Sequence, residues 1–278
     1  TNKNDKLLQA FNLEPGESWL VPPRFIDEKE YMLAPTVKWG VKPENFSFRT
    51  ELFGPLLSVA CIENLEEGIK LVNSLDYGLT SGLQSLDEEE QKLWKNSVIA
   101  GNLYINRGIT GAIVNRQPFG GMKLSAFGGG IKAGGPNYCT CFVEITDKPD
   151  SQTDYIDSYF DACEEEFMDP RDVNKLYGEQ NVFRYLPLKS IILRLFPEDT
   201  DREVNMISYA SELCRTPLTI SFDPSDDRTA ALTQYGWPLR KESLEDFLKV
   251  MPDYERVRTC SPNIPKCMYE RAAETNMY

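Results

Sequence analysis

The sequence predicts an α/β fold in two parts, and three observations carry that prediction. Between Leu56 and Asn106, extended apolar runs alternate with amphipathic helical patterns, which is how strands joined by helices read. The same alternation returns between Ser190 and Thr259, beyond an acidic stretch poor in glycine. A length of 278 residues is enough for two domains, each with a core of its own.

Taken in order, Lys6 to Phe11 reads as a short helix and Ser18 to Pro22 as an extended piece. Pro22-Pro23 stops any regular element there. Tyr31 to Val41 is extended and apolar. The segment from Arg49 closes on Gly54-Pro55 and feeds the apolar run Leu56 to Ile62, a buried-strand pattern. Asn64 to Leu75 predicts a helix capped by Asn64, with Leu65, Ile69, Leu71 and Val72 in its apolar stripe. Gly82 to Leu86 is a short strand. Asp87 to Val98 is a second amphipathic helix, and the acids that open it suit the positive end of its dipole. Asn102 to Asn106 is a strand that leads into a glycine-rich stretch.

From Cys139 the chain alternates, with Cys139, Cys141, Val143 and Ile145 on one side and Thr140, Glu144 and Thr146 on the other. That is a half-exposed strand, whose edge needs cover. Asp147 to Asp172 reads as a connecting helix with a solvated acidic face. Ser190 to Phe196, Thr200 to Cys214 and Leu218 to Phe222 then make one βαβ unit. Helical segments near Asp227 to Gln234 and Glu242 to Val250 follow, and a strand at Arg256 to Thr259. A Rossmann-like half-domain fits this order. Its first turn, FPEDTDRE, has no glycine and sets acids where a pyrophosphate would need close backbone approach, so the fold reads as degenerate and non-binding.

Composition narrows the function. A net charge of −13 argues against a nucleic-acid partner. No apolar run is long enough to span a bilayer. TNKNDK resembles no signal peptide, and the absence of an initiator methionine suggests a piece of a longer chain. The seven cysteines form no C-x-x-C pair and there is no histidine, so neither a zinc site nor a Ser-His or Cys-His pair is expected. The thiols read as small apolar residues in a reducing cytoplasm.

The residues that carry chemistry lie between Tyr104 and Tyr138, where nine of the eighteen glycines fall. Such density fits either a surface loop or backbone brought close to a ligand. Gly111-Ala112 offers two consecutive amides with almost no side chain in the way, which suits a carboxylate. Gln117-Pro118-Phe119-Gly120-Gly121 adds a rigid turn and one aromatic. Upstream, Glu51 ends a segment from which a carboxylate can accept from both hydroxyls of a ribose, with Phe53 two residues on. Glu51 read alone is also a common solvated acid, and Phe53 a common core residue.

The combination of Gly-Ala, Gln-Pro-Phe-Gly-Gly and Lys132-Ala133-Gly134-Gly135-Pro136 resembles the aldehyde dehydrogenase superfamily. Within it, the closest resemblance is to the L-glutamate gamma-semialdehyde dehydrogenase module of the proline utilization A family. The resemblance covers residues 13 to 146. It implies that Gly111 and Ala112 anchor the substrate's α-carboxylate and that Phe119 walls the aldehyde pocket. It implies that Glu51 and Phe53, within Glu-x-Phe-Gly-Pro, contact NAD. Arg107 and Arg116 are further carboxylate candidates without an assigned place. It also implies a homodimer paired through a strand at 138–146. The family's nucleophile, general base and phosphate-binding turn lie N-terminal to Glu-x-Phe-Gly-Pro, and none of the seven cysteines has the matching context. The expected layout is therefore a C-terminal part of a catalytic module (1–147), an acidic connector (148–176) and a degenerate Rossmann-like domain (177–278). That layout contains no catalytic residue, no metal site and no FAD, which would belong to a proline dehydrogenase domain absent here. Such a chain would not oxidise glutamate gamma-semialdehyde unaided. Two alternatives stay open, a non-catalytic dimerisation or tunnel-lid module and one subunit of a split enzyme.

Overall fold

The structure, a computed structural model, describes residues 4–27, 29, 32–113, 116–126, 131–144, 146, 154–275 and 277. They fall into two compact units, Thr1–Ile109 with Gly121–Ser125, and Thr110–Gly120 with Ala126–Tyr278. The glycine-rich stretch is divided between them.

The first unit opens with α1 (Asp5–Gln9), capped by the Asn4 side chain, then β1 (Ser18–Val21), β2 (Phe25–Asp27), β3 (Met32–Leu33) and β4 (Thr36–Trp39). A single turn, α2 (Phe46–Arg49), precedes β5 (Leu56–Val59). β4 runs antiparallel to β1 and parallel to β5. Leu7, Ala10, Leu33 and Leu52 are the buried core here. β4 also turns a charge inward. Lys38 is buried with Glu17, Nζ to Oε2 at 2.8 Å, and also donates to the Asn12 carbonyl at 2.9 Å. Burial pushes the Glu17 carboxyl up. Hydrogen bonds from the Glu14 amide, Lys38 and Ser47, with the Lys38 charge, outweigh that and hold it below the usual range.

Further along come α3 (Leu65–Asn73), β6 (Tyr77–Gly78), β7 (Thr80–Leu83), α4 (Glu88–Ser97), β8 (Asn102–Ile105) and β9 (Met122–Lys123). Asn64 caps α3 as its position predicts, accepting from the Glu67 amide at 2.9 Å. Asp87 caps α4. β7 and β8 pair in parallel, and β6 pairs with β9. The two helices bury Ile69, Trp94, Val98 and Ala100 as a second core.

The first α-helix of the second unit is α5 (Tyr155–Ala162), which widens into a π-helical turn, Cys163–Phe167. Residues 147–153 of the expected connecting helix lie outside the described residues. Then follow β10 (Ile191–Arg194), α6 (Asp201–Leu213), β11 (Leu218–Phe222), α7 (Thr229–Thr233), β12 (Leu239–Lys241), α8 (Leu244–Val250), β13 (Arg256–Arg258) and α9 (Lys266–Glu274). The sheet order is β12-β11-β10-β13, with every pairing parallel. This is the doubly wound arrangement, which reverses direction between β10 and β13. Successive side chains of β10 serve opposite faces. Leu193 joins Val204, Ile220 and Phe222, while Ile192 joins Phe247, Met251 and Met268.

One expected element is corrected. Tyr138–Phe142, read as the first part of a pairing strand, is a turn of 3-10 helix, and Val143 after it is extended. The Tyr138 and Thr140 amides turn back onto the Gly135 and Asn137 carbonyls, and the Thr140 hydroxyl donates to the Asn137 carbonyl at 2.6 Å. The Tyr138 and Phe142 rings then meet edge to face at 5.6 Å. These local bonds are available without a partner strand, whereas a half-exposed strand is not stable alone. Ile145 lies outside the described residues.

Candidate functional site

Glu51 and Phe53 stand on the turn that enters β5. Leu52 between them is buried in the α1 core, and a side chain at Gly54 would run into Leu7. The Pro55 carbonyl is tied to the Thr36 amide at 2.9 Å. With its neighbours pinned, the turn sends Glu51 and Phe53 outward, both exposed. Phe53 is 88% exposed and sits at φ +49. An aromatic held in the left-handed region costs about 1–3 kcal/mol, and such strain concentrates at ligand sites.

Gly111, Ala112 and Phe119 belong to one loop of the second unit. Gly111 is at φ +80, and a Cβ built there meets nothing within 4 Å. Its backbone therefore fits glycine for conformation, with open space around it. Gly111 and Ala112 lie outside any strand, and among the described residues no hydrogen bond from either amide is present. Phe119 is half-buried and is fixed by a two-way bridge to Ala133, with N–H to O distances of 3.0 and 2.9 Å. Ala133 is held in turn by a tight turn from Lys132 to Gly135, closed at 2.9 Å, with Gly134 at φ +72 as its third residue. The amides offer a place for an anion, and the bridge fixes an aromatic eight residues further along.

Two arginines resolve differently. Arg116 pairs with Glu179 at 3.3 Å. Arg107 lies over the Tyr104 ring at 5.7 Å. Neither contact places an arginine against Gly111 or Ala112.

Lys132 is a residue whose place the sequence did not single out. Its Nζ donates to the Gly120 carbonyl at 2.6 Å, and burial lowers its ammonium to about 8. A lysine whose folded value is depressed carries a penalty below that value. The penalty is relieved as pH rises from about 8 toward its ordinary 10.5, because the folded chain then holds fewer protons than the unfolded one. Thermal melts of this chain should therefore gain stability over that window, and Lys132→Met should remove that part of the gain. Parallel pH profiles for the two proteins would refute the assignment.

Two cysteines of the second unit are shifted away from activation. Cys260 is pushed up to about 12 by burial and by the carboxylates of Asp199 and Glu203, and burial with the nearby Cys163 raises Cys214. A nucleophilic thiol needs the opposite shift. Among the described residues no group of three metal-ligating side chains is assembled. No described helix is long and apolar enough to cross a membrane.

Several groups at the first turn of the second unit's parallel sheet are engaged with one another. At the start of α6, Thr200 and Glu203 cap each other, the Thr200 amide donating to Glu203 at 2.8 Å. Arg228 reaches into the turn after β10 and donates to the Phe196 and Asp199 carbonyls at 2.9 and 2.6 Å. Asp199 is buried, and burial raises its carboxyl. The Thr200 and Glu203 amides are therefore already engaged, and acids stand beside them where an anion would be disfavoured.

Residues 13–147 match the aldehyde dehydrogenase family. Over 118 residues the chain is 38% identical to 1-pyrroline-5-carboxylate dehydrogenase of Staphylococcus haemolyticus, covering 42% of this chain and 23% of that protein. Proline Utilization A (PutA) from Corynebacterium freiburgense has a similar structure, at 33% identity and a TM-score of 0.75, over 99% of this chain and 28% of its own. A 1-pyrroline-5-carboxylate dehydrogenase from Thermus, solved with bound NAD, is 37% identical over 50% of this chain and 27% of its own, at a TM-score of 0.46. The chain thus spans about a quarter of the length of the relatives it matches. Residues 13–147 are thus similar to the aldehyde dehydrogenase family, and the mixed α/β fold is similar to that of a proline utilization A protein along nearly all of this chain.

Proposed function

We propose that this chain supplies part of the substrate and NAD sites of an L-glutamate gamma-semialdehyde dehydrogenase, the semialdehyde being the open form of 1-pyrroline-5-carboxylate. One observation carries the reading. The adjacent amides of Gly111 and Ala112 lie outside strand pairing, with open space at the Gly111 Cβ position. A carboxylate there would accept from both, and Phe119, fixed by its bridge, would pack on the chain that leads to the aldehyde. Glu51 would accept from the ribose hydroxyls of NAD, and Phe53 would pack beside the same nucleotide. NAD, when bound, supplies the hydride acceptor. The thiol that adds to the aldehyde and the base that activates water must come from elsewhere, since the family's motifs for both are not in this sequence.

The purified chain, given NAD and the semialdehyde, is expected to produce no NADH, while the full-length protein that contains it does. NADH formation by the chain alone would overturn the division of the site. A dimer by sizing, together with a full-length protein that binds no NAD, would favour a dimerisation or lid module instead. A full-length protein that becomes active only on adding a separate polypeptide would favour a split enzyme.

A further inference from the structure

The loop that holds Gly111, Ala112 and Phe119 is fastened from a distance. Gln117 Nε2 donates to Asn181 Oδ1 at 3.0 Å, across 64 positions of sequence. Gln117 Oε1 and Asn181 Nδ2 are both buried, and neither has a hydrogen-bond partner among the described residues. Among the described residues, one bond therefore holds two buried amides. Two flanking contacts run the same way, Arg116 to Glu179 at 3.3 Å and Asn137 Nδ2 to the Tyr185 hydroxyl at 3.2 Å. Both are exposed, and contacts of that kind contribute little.

The segment that does the holding is itself fixed. The Asn181 amide donates to Asp172 at 3.1 Å. Phe183 and Arg171 exchange two backbone bonds of 2.8 Å. The Tyr185 hydroxyl donates to Glu166 at 2.8 Å, Arg171 pairs with the same carboxylate at 2.6 Å, and the Phe167 and Phe183 rings stand perpendicular to Tyr185. Asn181 thus presents its oxygen from a braced backbone to Gln117, which lies between the two amides and Phe119 in the loop's sequence, two residues before Phe119.

We infer that Asn181 is a positioning residue for the carboxylate-anchoring loop, acting through Gln117 and so setting affinity for the acid end of the substrate. This rests on the dehydrogenase reading above. Two measurements test it. In the full-length protein, Asn181→Ala should raise KM for the semialdehyde about 3- to 10-fold, the worth of one neutral hydrogen bond. It should leave kcat within about two-fold and leave KM for an aldehyde lacking the carboxylate unchanged. The exchanged pair, Gln117→Asn with Asn181→Gln, should restore much of the loss, because an amide still faces an amide. In the chain itself, Asn181→Ala should speed hydrogen exchange of amides 110–120 while exchange in β10 and β11 stays as it was. Unchanged exchange at 110–120, or equal KM changes for both aldehydes, would overturn the inference. If the unsubstituted full-length protein does not oxidise the semialdehyde, the dehydrogenase reading fails instead, and the exchange comparison alone decides the positioning.

Discussion

Glu17→Ala is expected to destabilise the first unit by about 3–5 kcal/mol, the cost of leaving a buried charge without its partner. Lys38 would keep its bond to the Asn12 carbonyl and its place near the Trp19 ring, at 5.4 Å, but would lose the carboxylate that balances it. Glu17 also orders its surroundings, accepting from the Glu14 amide at 2.8 Å and the Ser47 hydroxyl at 3.2 Å. The pH dependence has a definite sign. A carboxyl whose folded value is depressed stabilises the fold above its unfolded value near 4.5, and that contribution is lost as pH falls through the folded value. Chemical denaturation at neutral pH should show the full difference between the two proteins, and the difference should shrink in acid. Replacing both residues with apolar ones of similar volume should recover much of the loss, since a buried pair adds little over good packing. A Glu17→Ala protein as stable as the parent would mean that the pair is not buried in solution.

Gly111→Leu is expected to raise KM for the semialdehyde roughly 10- to 100-fold in the full-length protein, by obstructing hydrogen bonds to a charged carboxylate. The fold should tolerate the change better than the ligand does. A Cβ at this position meets no described atom, so the protein's own cost is the φ of +80, about 1–3 kcal/mol. An aldehyde without the carboxylate supplies the control. Its KM should move far less, and an equal rise for both substrates would remove Gly111 from the anchor. Gly121 makes a useful contrast, because a Cβ there would lie 2.3 Å from the Ser125 carbonyl oxygen. A substitution at Gly121 should therefore act on folding, whatever the substrate.

The elements legible in the sequence were those whose signal is local. α3 announces itself through Asn64 and its apolar stripe, and β11 occupies Leu218–Phe222 as its apolar run indicates. The βαβ unit and the strand near 256–258 of the second sheet were legible in this way, while the short strand β12 and the order of the sheet were not. Elements made by distant partners were not legible. β6 and β9 are two residues each and exist because Tyr77–Gly78 meets Met122–Lys123. α2 is one turn, with no cap bond from Asn45 to mark it. At Tyr138–Phe142 a 3-10 turn replaces the expected strand, because alternation shows which side chains could share a face, not whether a partner strand is present.

The site divides the same way. Glu51, Phe53, Gly111, Ala112 and Phe119 could be named because residue order alone marks them. The left-handed backbone of Phe53, the buried amine of Lys132 and the reach of Asn181 to Gln117 are products of folding. No local pattern encodes them. Lys38 shows the limit most plainly, because a lysine in a strand reads as solvent-facing until folding brings it to Glu17, 21 positions earlier in the chain.

The order of strands in the second unit also constrains how it can be synthesised. β10 pairs with β11 on one flank and with β13 on the other, so its second edge stays unpaired until residues 256–258 have left the ribosome. For some sixty residues of translation, a row of backbone donors and acceptors on an apolar strand is open to any other chain. Parallel pairings across such separations form slowly. That interval is where a chaperone would have most to protect, and where a truncated messenger would yield a product prone to aggregation.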